Sequence, residues 1–483
     1  MLLLTLILVP LATAVLAYGL DAARRRWVLV GTAVLHTALV MALWYRPGQR
    51  ALAGWLAVDD AGRIVLTLVS VLFLAVSQYA VGFLRTEASR GALGGRVFVS
   101  CMLAFLAAAS LVCLSHHLAL LWVGMESSTL AVAPLALDRR DRRSLEAIWK
   151  YLMLSSVGIA LALFGVFLLA TAQPSGAGRP LVLEDLLRNG AALDPAWLRA
   201  AFVFTLIGFG TKMGLAPMHS WKPDVYGEAS GLVAALMAGA LTSCAFLGVA
   251  RVASVCFAAG QGAFIRPMLI GFGLVSLAIA AVFIVGQGDL RRLLAYSSVE
   301  HMGLLALGLG IGGVGAWGAM LHTLNNGLAK GLSFLVAGNI VLSAGTSAAG
   351  QLRGVLRTMP VNRGLLLTAL FVITGAPPFA LFLSEFAILR GAFAEGHPLV
   401  AGLTVALLVV IFVGVAAMIL ELVYGPRDDS EASADERAGL ERRELVLAPA
   451  VLAIVLLGLG LYLPQPLATA LAGAASALGG GGP

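Results

Sequence analysis

Gly208-Phe-Gly-Thr-Lys212-Met-Gly-Leu-Ala-Pro217-Met-His219-Ser-Trp-Lys222-Pro223-Asp224 is the stretch on which the fold turns. It closes an apolar run yet carries a lysine, several glycines and a proline. Proline lacks a backbone donor and clashes with the carbonyl four residues back, so a helix through this run breaks at Pro217 and frees backbone groups to bind water. Inside a bilayer such a break is tolerated only where protein or a hydrated cavity covers it. The surroundings require that bilayer. Of 483 residues, 60% are apolar and 12% charged, with a mean hydropathy of +0.95. A soluble enzyme of this length is excluded.

A bilayer crossing takes about 20 apolar residues. Runs bounded by charge, Pro or Gly clusters predict fourteen spans, near 2–20, 27–45, 64–84, 97–115, 117–137, 147–171, 200–219, 229–256, 264–286, 292–313, 316–343, 364–394, 398–424 and 445–463. The fold class is therefore all-α, a polytopic membrane bundle. Met1 to Leu20 reads as the first span and not a signal peptide, because Arg24, Arg25 and Arg26 follow the apolar stretch instead of preceding it. Cys101, Cys113, Cys244 and Cys256 lie inside apolar runs with no CxxC spacing, so neither an iron–sulfur cluster nor a structural zinc site is expected. No cofactor, no metal and no nucleic acid is expected to bind this chain. The net charge of +7 comes from loop arginines and reports topology.

The odd-numbered loops hold 20 of the 32 basic residues and the even-numbered ones 9. The positive-inside rule makes the odd loops cytoplasmic and puts both termini outside, in the periplasm of a bacterial inner membrane. The remaining three are lysines within predicted spans, Lys150, Lys212 and Lys330, in a chain with only four lysines against 28 arginines; Lys222 falls in a loop. A desolvated lysine can release and regain its proton, whereas arginine cannot. Lysines kept within the membrane are what a proton path needs.

Other ionisable residues share that setting. Glu126 lies midway along the fifth span, with Ser127, Ser128 and Thr129 beside it, where a carboxylate costs several kcal/mol unless paired or hydrated. Thr374-Gly-Ala-Pro377-Pro378-Phe-Ala-Leu-Phe-Leu-Ser-Glu385 repeats the pattern of the opening stretch, a proline break with an ionisable residue close by. Each break falls in the fourth of five consecutive spans, which fits two inverted five-helix repeats, since an odd number of spans inverts the second copy. The division expected is an N-terminal three-helix segment over 1–96, antiporter-like halves over 97–256 and 257–424, and a charged cytoplasmic loop with the last span over 425–483. His322, Asn326 and Lys330 are spaced i, i+4, i+8 and line one helix face. Glu300 and His301 sit at comparable depth on the preceding span. His116 and His117 read as a solvated outer turn. The literal GxGxxG at Gly308, Gly310 and Gly313 lies in a membrane hairpin and is not a nucleotide site.

Five of these motifs resemble, in order and over nearly the whole chain, the antiporter-like subunits of respiratory complex I and its relatives. They are Leu121-Trp-Val-Gly-Met-Glu126-Ser-Ser-Thr, Leu145-Glu-Ala-Ile-Trp-Lys150-Tyr-Leu, Lys212-Met-Gly-Leu-Ala-Pro-Met-His219-Ser-Trp, Leu293-Leu-Ala-Tyr-Ser-Ser-Val-Glu300-His301-Met-Gly and Leu321-His322-Thr-Leu-Asn-Asn-Gly-Leu-Ala-Lys330. The likeness is strongest to the hydrogenase-4 component F and subunit M types. It implies that Glu126 and Lys212 form the acid–base pair of the first half, that His322 and Lys330 belong to a central relay, and that Glu385 ends the second half. Lys150, His219, Glu300, His301, Asn326, Pro217 and Pro377 would support them. The chain departs from the pattern at Asn326, where relatives usually have histidine, and at Ser243, where some complex I subunits carry a lysine. It also ends in Gly-Gly-Gly-Gly-Pro483 without a long lateral helix, which favours the M or F type. The implied function is proton translocation, or Na+ in its place, within a complex I-like oxidoreductase such as a group 4 membrane-bound hydrogenase. The partners would be other membrane subunits, a peripheral redox module and the lipid bilayer. The alternatives are a multisubunit cation/proton antiporter, the membrane partner in ion-driven inorganic-carbon uptake, and a structural scaffold.

Overall fold

The computed structural model describes residues 1–86, 94–137, 142–174, 180–352, 355–425 and 441–479. Arg90, Arg139, Arg140, Arg179, Arg353, Arg427, Arg437 and the terminal Gly480-Gly-Gly-Pro483 lie outside the described residues, so the loop-charge pattern is only partly placed.

Helices account for nearly every described element. The first three, α1 (Leu2–Gly19), α2 (Ala22–Trp44) and α3 (Asp60–Phe83), precede α4 (Gly94–Leu114), α5 (Leu118–Ala136) and α6 (Arg142–Thr171). A short α7 (Leu183–Arg188) leads into α8 (Pro195–Met213) and α9 (Trp221–Glu228). Next come α10 (Gly231–Leu236) and α11 (Thr242–Ala258), joined by a π-helical turn, then α12 (Gly262–Ile284), α13 (Leu290–Ile311) and α14 (Gly313–Ala344). The chain finishes with α15 (Ala349–Leu352), α16 (Pro360–Ile373), α17 (Ala380–Ala394), α18 (Pro398–Tyr424), α19 (Arg443–Leu461) and α20 (Gln465–Ala477). The described strands are two short segments, Arg50–Ala51 and Leu56–Ala57, paired in a loop hairpin.

Twelve of the described helical segments are long and apolar enough to cross a membrane. The two predicted spans outside that group, 200–219 and 364–394, are the ones with the proline breaks: α8 ends within the first and α9 resumes just past its predicted end, while the second is divided into α16 and α17. Residues Ala216–Pro217 and Pro377–Pro378, the second residue of each a proline, are joined by cis bonds at these breaks. Aspartates start several helices where the chain leaves a loop. Asp21, Asp59, Asp194 and Asp289 each accept backbone N–H groups from the first turn of α2, α3, α8 and α13, satisfying donors that have no partner within the helix.

The centre of the bundle is α10–α11, α13 and α14. The most apolar stretch of 231–258 is buried throughout, while α1, α18 and α19 leave most of theirs on the outside. That outside includes large apolar side chains such as Leu399, Val413 and Ile454, which suit contact with lipid or with a neighbouring subunit. Within each group of five spans the packing follows one scheme. The first two pair as α4 with α5 and α12 with α13, and the third packs on both pieces of the broken fourth, α6 on α8 and α9, α14 on α16 and α17. The GxGxxG glycines lie at the α13–α14 hairpin, where Gly308 meets the Gly315 carbonyl and Gly310 the Arg266 carbonyl closely enough that a side chain would collide. They are packing residues, as the sequence context implies.

Candidate functional site

In the first half, α5 presents Glu126 and, one turn on, Thr129. Lys212, the penultimate residue of α8, is fully buried, donates to the Thr129 hydroxyl and has its ammonium 5.3 Å from the centre of the Tyr151 ring. Glu126 is half-buried, and its Oε2 is buried with no hydrogen-bond partner. Among the described residues Glu126 and Lys212 make no ion pair; Lys212 bonds Thr129 instead, and that hydroxyl donates to the Met125 carbonyl at 3.1 Å.

In the second half the polar groups run from helix to helix. Lys330 on α14 donates to Ser297 Oγ on α13 at 2.8 Å, and that hydroxyl donates to Glu300 Oε2 at 3.2 Å. The next residue, His301, meets His322 on α14, Nδ1 to Nε2, at 3.1 Å. His322 Nδ1 then contacts Ser384 Oγ on α17 at 2.9 Å, beside Glu385. All seven residues are buried in protein. In place of the expected row along one face of α14, the groups make a detour over α13 in two hydrogen-bonded sets, Lys330–Ser297–Glu300 and His301–His322–Ser384, which adjoin at the neighbouring residues Glu300 and His301; among the described residues no hydrogen bond joins the two sets or reaches Asn326. Asn326 is buried, and neither its amide nitrogen nor its oxygen has a protein partner. Glu385 Oε1 likewise has none.

The breaks hold these groups in place. At the first, the Ala216 N–H donates to Ser276 Oγ on α12 at 3.0 Å, and Trp221 Nε1 donates to the Thr211 carbonyl at 2.8 Å. At the second, Asn325 Nδ2 donates to the Ala380 carbonyl at 2.7 Å. Side chains from neighbouring helices thereby satisfy backbone that the prolines release. Pro217 and Pro377 sit at the turns as expected. His219 is half-exposed, its Nδ1 3.2 Å from the Pro217 carbonyl, and stands apart from the buried groups.

Two lysine assignments change. Lys150 was expected within a span, but its side chain is 48% exposed two turns into α6 and pairs with Glu146 and Asp224 at 2.9 and 3.1 Å. It belongs to a charged rim with Arg292, because α6 begins at Arg142 and its first turns lie at the edge of the bundle. Lys222, expected in a loop, is fully buried. The signal was present: Lys222 is one of only four lysines in an arginine-rich chain, and a helix resuming directly after Pro217 draws it inward. His116 and His117 also differ from a solvated turn. His116 lies 3.5 Å from Asp59, and His117 packs against Trp55 at a tilt of 36° with ring centroids 4.5 Å apart. Thr129 was noted in the sequence only as a neighbour of Glu126, and Ser297 and Ser384 were not singled out, since serine and threonine are common in membrane helices and only contact reveals a role.

His301, His322 and Glu385 each offer one donor atom, all within 4.8 Å of one another, a grouping able by donor type to hold a metal ion that the sequence did not anticipate. The close His301–His322 hydrogen bond occupies two of those nitrogens, and in that state the cluster is a hydrogen-bonded acid–base group.

Residues 115–411 match the family described as NADH:quinone oxidoreductase/Mrp antiporter, TM. The chain belongs to this family. It is 34% identical over 384 residues to a hydrogenase-4 component F homolog of Methylacidiphilum infernorum, covering 77% of this chain and 80% of that protein. A chain of respiratory complex I from Thermus thermophilus superposes with a TM-score of 0.77 at 25% identity, covering 95% of this chain and 97% of that one. A chain of an archaeal membrane-bound sulfane sulfur reductase superposes with a TM-score of 0.87 at 20% identity, covering 99% and 97%. In this family the chain is a polytopic membrane subunit similar to components of multisubunit membrane complexes, so other membrane subunits are its partners.

Proposed function

We propose that this antiporter-type subunit carries protons across a bacterial inner membrane within a complex I-like oxidoreductase, most closely of the group 4 hydrogenase type. The supporting observation is two buried hydrogen-bonded sets of titratable groups, Lys330–Ser297–Glu300 and His301–His322–Ser384, placed side by side by the neighbouring residues Glu300 and His301. Each of those groups exchanges protons, and none has another evident reason to leave water at a cost of several kcal/mol. Electrons would be handled by a peripheral redox module. Glu126, Thr129 and Lys212 would load the first half, Glu385 would close the second, and a water would join Asn326 to the row. Lys150 and Asp224 at the rim are suited to gathering protons from the aqueous side. The two five-span groups, 97–256 and 257–424, would act as inverted repeats. Loop charge supports placing both termini in the periplasm.

Lys212→Met should abolish proton translocation in reconstituted vesicles while assembly persists, because methionine keeps the length and removes the titratable nitrogen. Lys212→Arg should fail as well, since a guanidinium keeps its proton. Normal pumping by the Arg variant would leave Lys212 as a fixed structural cation. The family also includes Mrp-type antiporters, which favours a second reading, cation/proton exchange without a redox module. Proton movement driven by an imposed Na+ gradient, in the absence of any electron donor, would select it.

A further inference from the structure

Lys222 opens α9, one residue after Trp221, and its side chain is fully buried. Its ammonium has one protein partner among the described residues, the Ser298 carbonyl on α13, at the long distance of 3.5 Å. A buried ammonium that is neither ion-paired nor well bonded is costly and calls for a use. Its position suggests one. The aliphatic tail and the nitrogen press on Gly214, the left-handed residue (φ +71°) that ends α8 two positions beyond Lys212; a Cβ there would overlap them. On its far side is Ser298, adjacent to the Ser297 hydroxyl that receives Lys330. Lys222 therefore stands between the end of α8 and the relay on α13, within electrostatic reach of Lys330. The second half holds its own ionisable residue in the same manner: the Glu385 carboxylate presses on Gly375, again a left-handed glycine (φ +62°) three residues before the proline of a cis bond.

We infer that Lys222 is a proton-carrying residue that connects Lys212 to Lys330 and so joins the two halves. This rests on the proton-translocation reading above. The neutral Lys222 amine takes the proton that Lys212 releases, the resulting ammonium passes it through hydroxyl or water to neutral Lys330, and both donors return to the amine form until the next proton arrives. Gly214 supplies the space this requires, since no larger residue leaves room for the lysine tail.

The test uses the whole complex in sealed vesicles with an internal pH dye, with protons counted per assembled complex and electron turnover measured in parallel. Lys222→Met should cut protons moved about a hundredfold or more, in the range expected for loss of a proton-transfer group. Lys222→Arg, which preserves the charge but holds its proton, should fall as far. Lys212→Met is the reference. If it stops pumping while Lys222→Met pumps at the parent rate, the connecting role is overturned and the proton-translocation reading stands. If Lys212→Met itself pumps normally, that reading fails. Normal pumping by Lys222→Arg also overturns the inference, reducing Lys222 to a fixed charge, and this variant decides the matter should the Met form not assemble.

Discussion

Asn326 carries two polar atoms into the centre of the bundle and bonds neither to protein. A buried amide left so is expensive, about 1–3 kcal/mol, unless water completes it. Asn326→Leu should therefore fold at least as well as the parent. If the amide hydrates the relay, protons moved per folded complex should still fall severalfold; an unchanged count would confine the relay to the α13 detour through Glu300 and His301. Asn326→His should keep or raise the count. Around Lys212 the residue-scale question is coupling. Glu126 and Lys212 lie within electrostatic reach without an ion pair, so a thermal-stability cycle over Glu126→Gln and Lys212→Met should give an interaction energy of about 0.5–3 kcal/mol. The same cycle repeated in Thr129→Val should shrink it. Strict additivity in both backgrounds would mean that the pair is too far apart to communicate. Spacing alone revealed Glu126, Lys212, His322 and Lys330 as ionisable residues in apolar runs. It did not reveal their partners, because serine and threonine hydroxyls have no such contrast with their surroundings.

At the scale of elements, the broken spans are the parts that matter, and a left-handed glycine accompanies each proline break. Gly214 and Gly375 have positive φ and touch Lys222 and Glu385, so a methyl group at either meets both backbone strain and a side chain already in place. Gly214→Ala and Gly375→Ala should each cost at least about 1–2 kcal/mol, the penalty of a left-handed alanine, and should lower pumping as well. Gly458, within α19 and with open space around it, is the control: Gly458→Ala should be neutral or stabilise by up to about 1 kcal/mol, from helix propensity. Melting temperatures of the purified variants decide between these. Equal effects at 214 and 458 would show that the Lys222 slot is not sterically constrained. The proline positions marked both breaks in the sequence, but the way the lysine and the carboxylate fold back on the glycines was hidden. That contact closes over eight to ten residues of turn, and no periodicity describes it.

Across the whole molecule, an ion cluster around the buried Arg251 helps fasten the N-terminal helices to α4 and α11. Arg251 on α11 donates to Asp59 at 2.8 Å and to the carbonyls of Val112, Cys113 and Ser115 at 3.0, 2.7 and 2.7 Å, capping α4 while gripping the start of α3. Burial alone would raise the Asp59 carboxyl, but the Arg251 guanidinium, with His116, outweighs it and holds Asp59 below the usual carboxylate range. A carboxyl depressed in the folded state adds stability in full above its unfolded value, near pH 4, and loses it as the pH falls below that. Asp59→Asn should thus lower the melting temperature at neutral pH, by an amount corresponding to about 3 kcal/mol for an uncompensated buried arginine. It should also flatten the acid limb below about pH 4. A parallel downward shift at every pH would assign the effect to packing.

What the sequence determined by itself is the solvent of the fold and the presence of ionisable residues within its apolar runs. Apolar runs of bilayer length, arginine in the loops and prolines in two runs are local properties, and each survives translation along the chain. The tertiary structure alone decided which charges meet. Lys150 and Lys222 exchanged their expected places, one at the rim and one in the centre, because burial in a bundle depends on what packs against a residue and not on its own neighbours in sequence. The relay crosses between α14, α13 and α17 for the same reason: hydrogen bonds select by distance in space, and residues 297, 322, 330 and 384 come within reach only when three helices share one core.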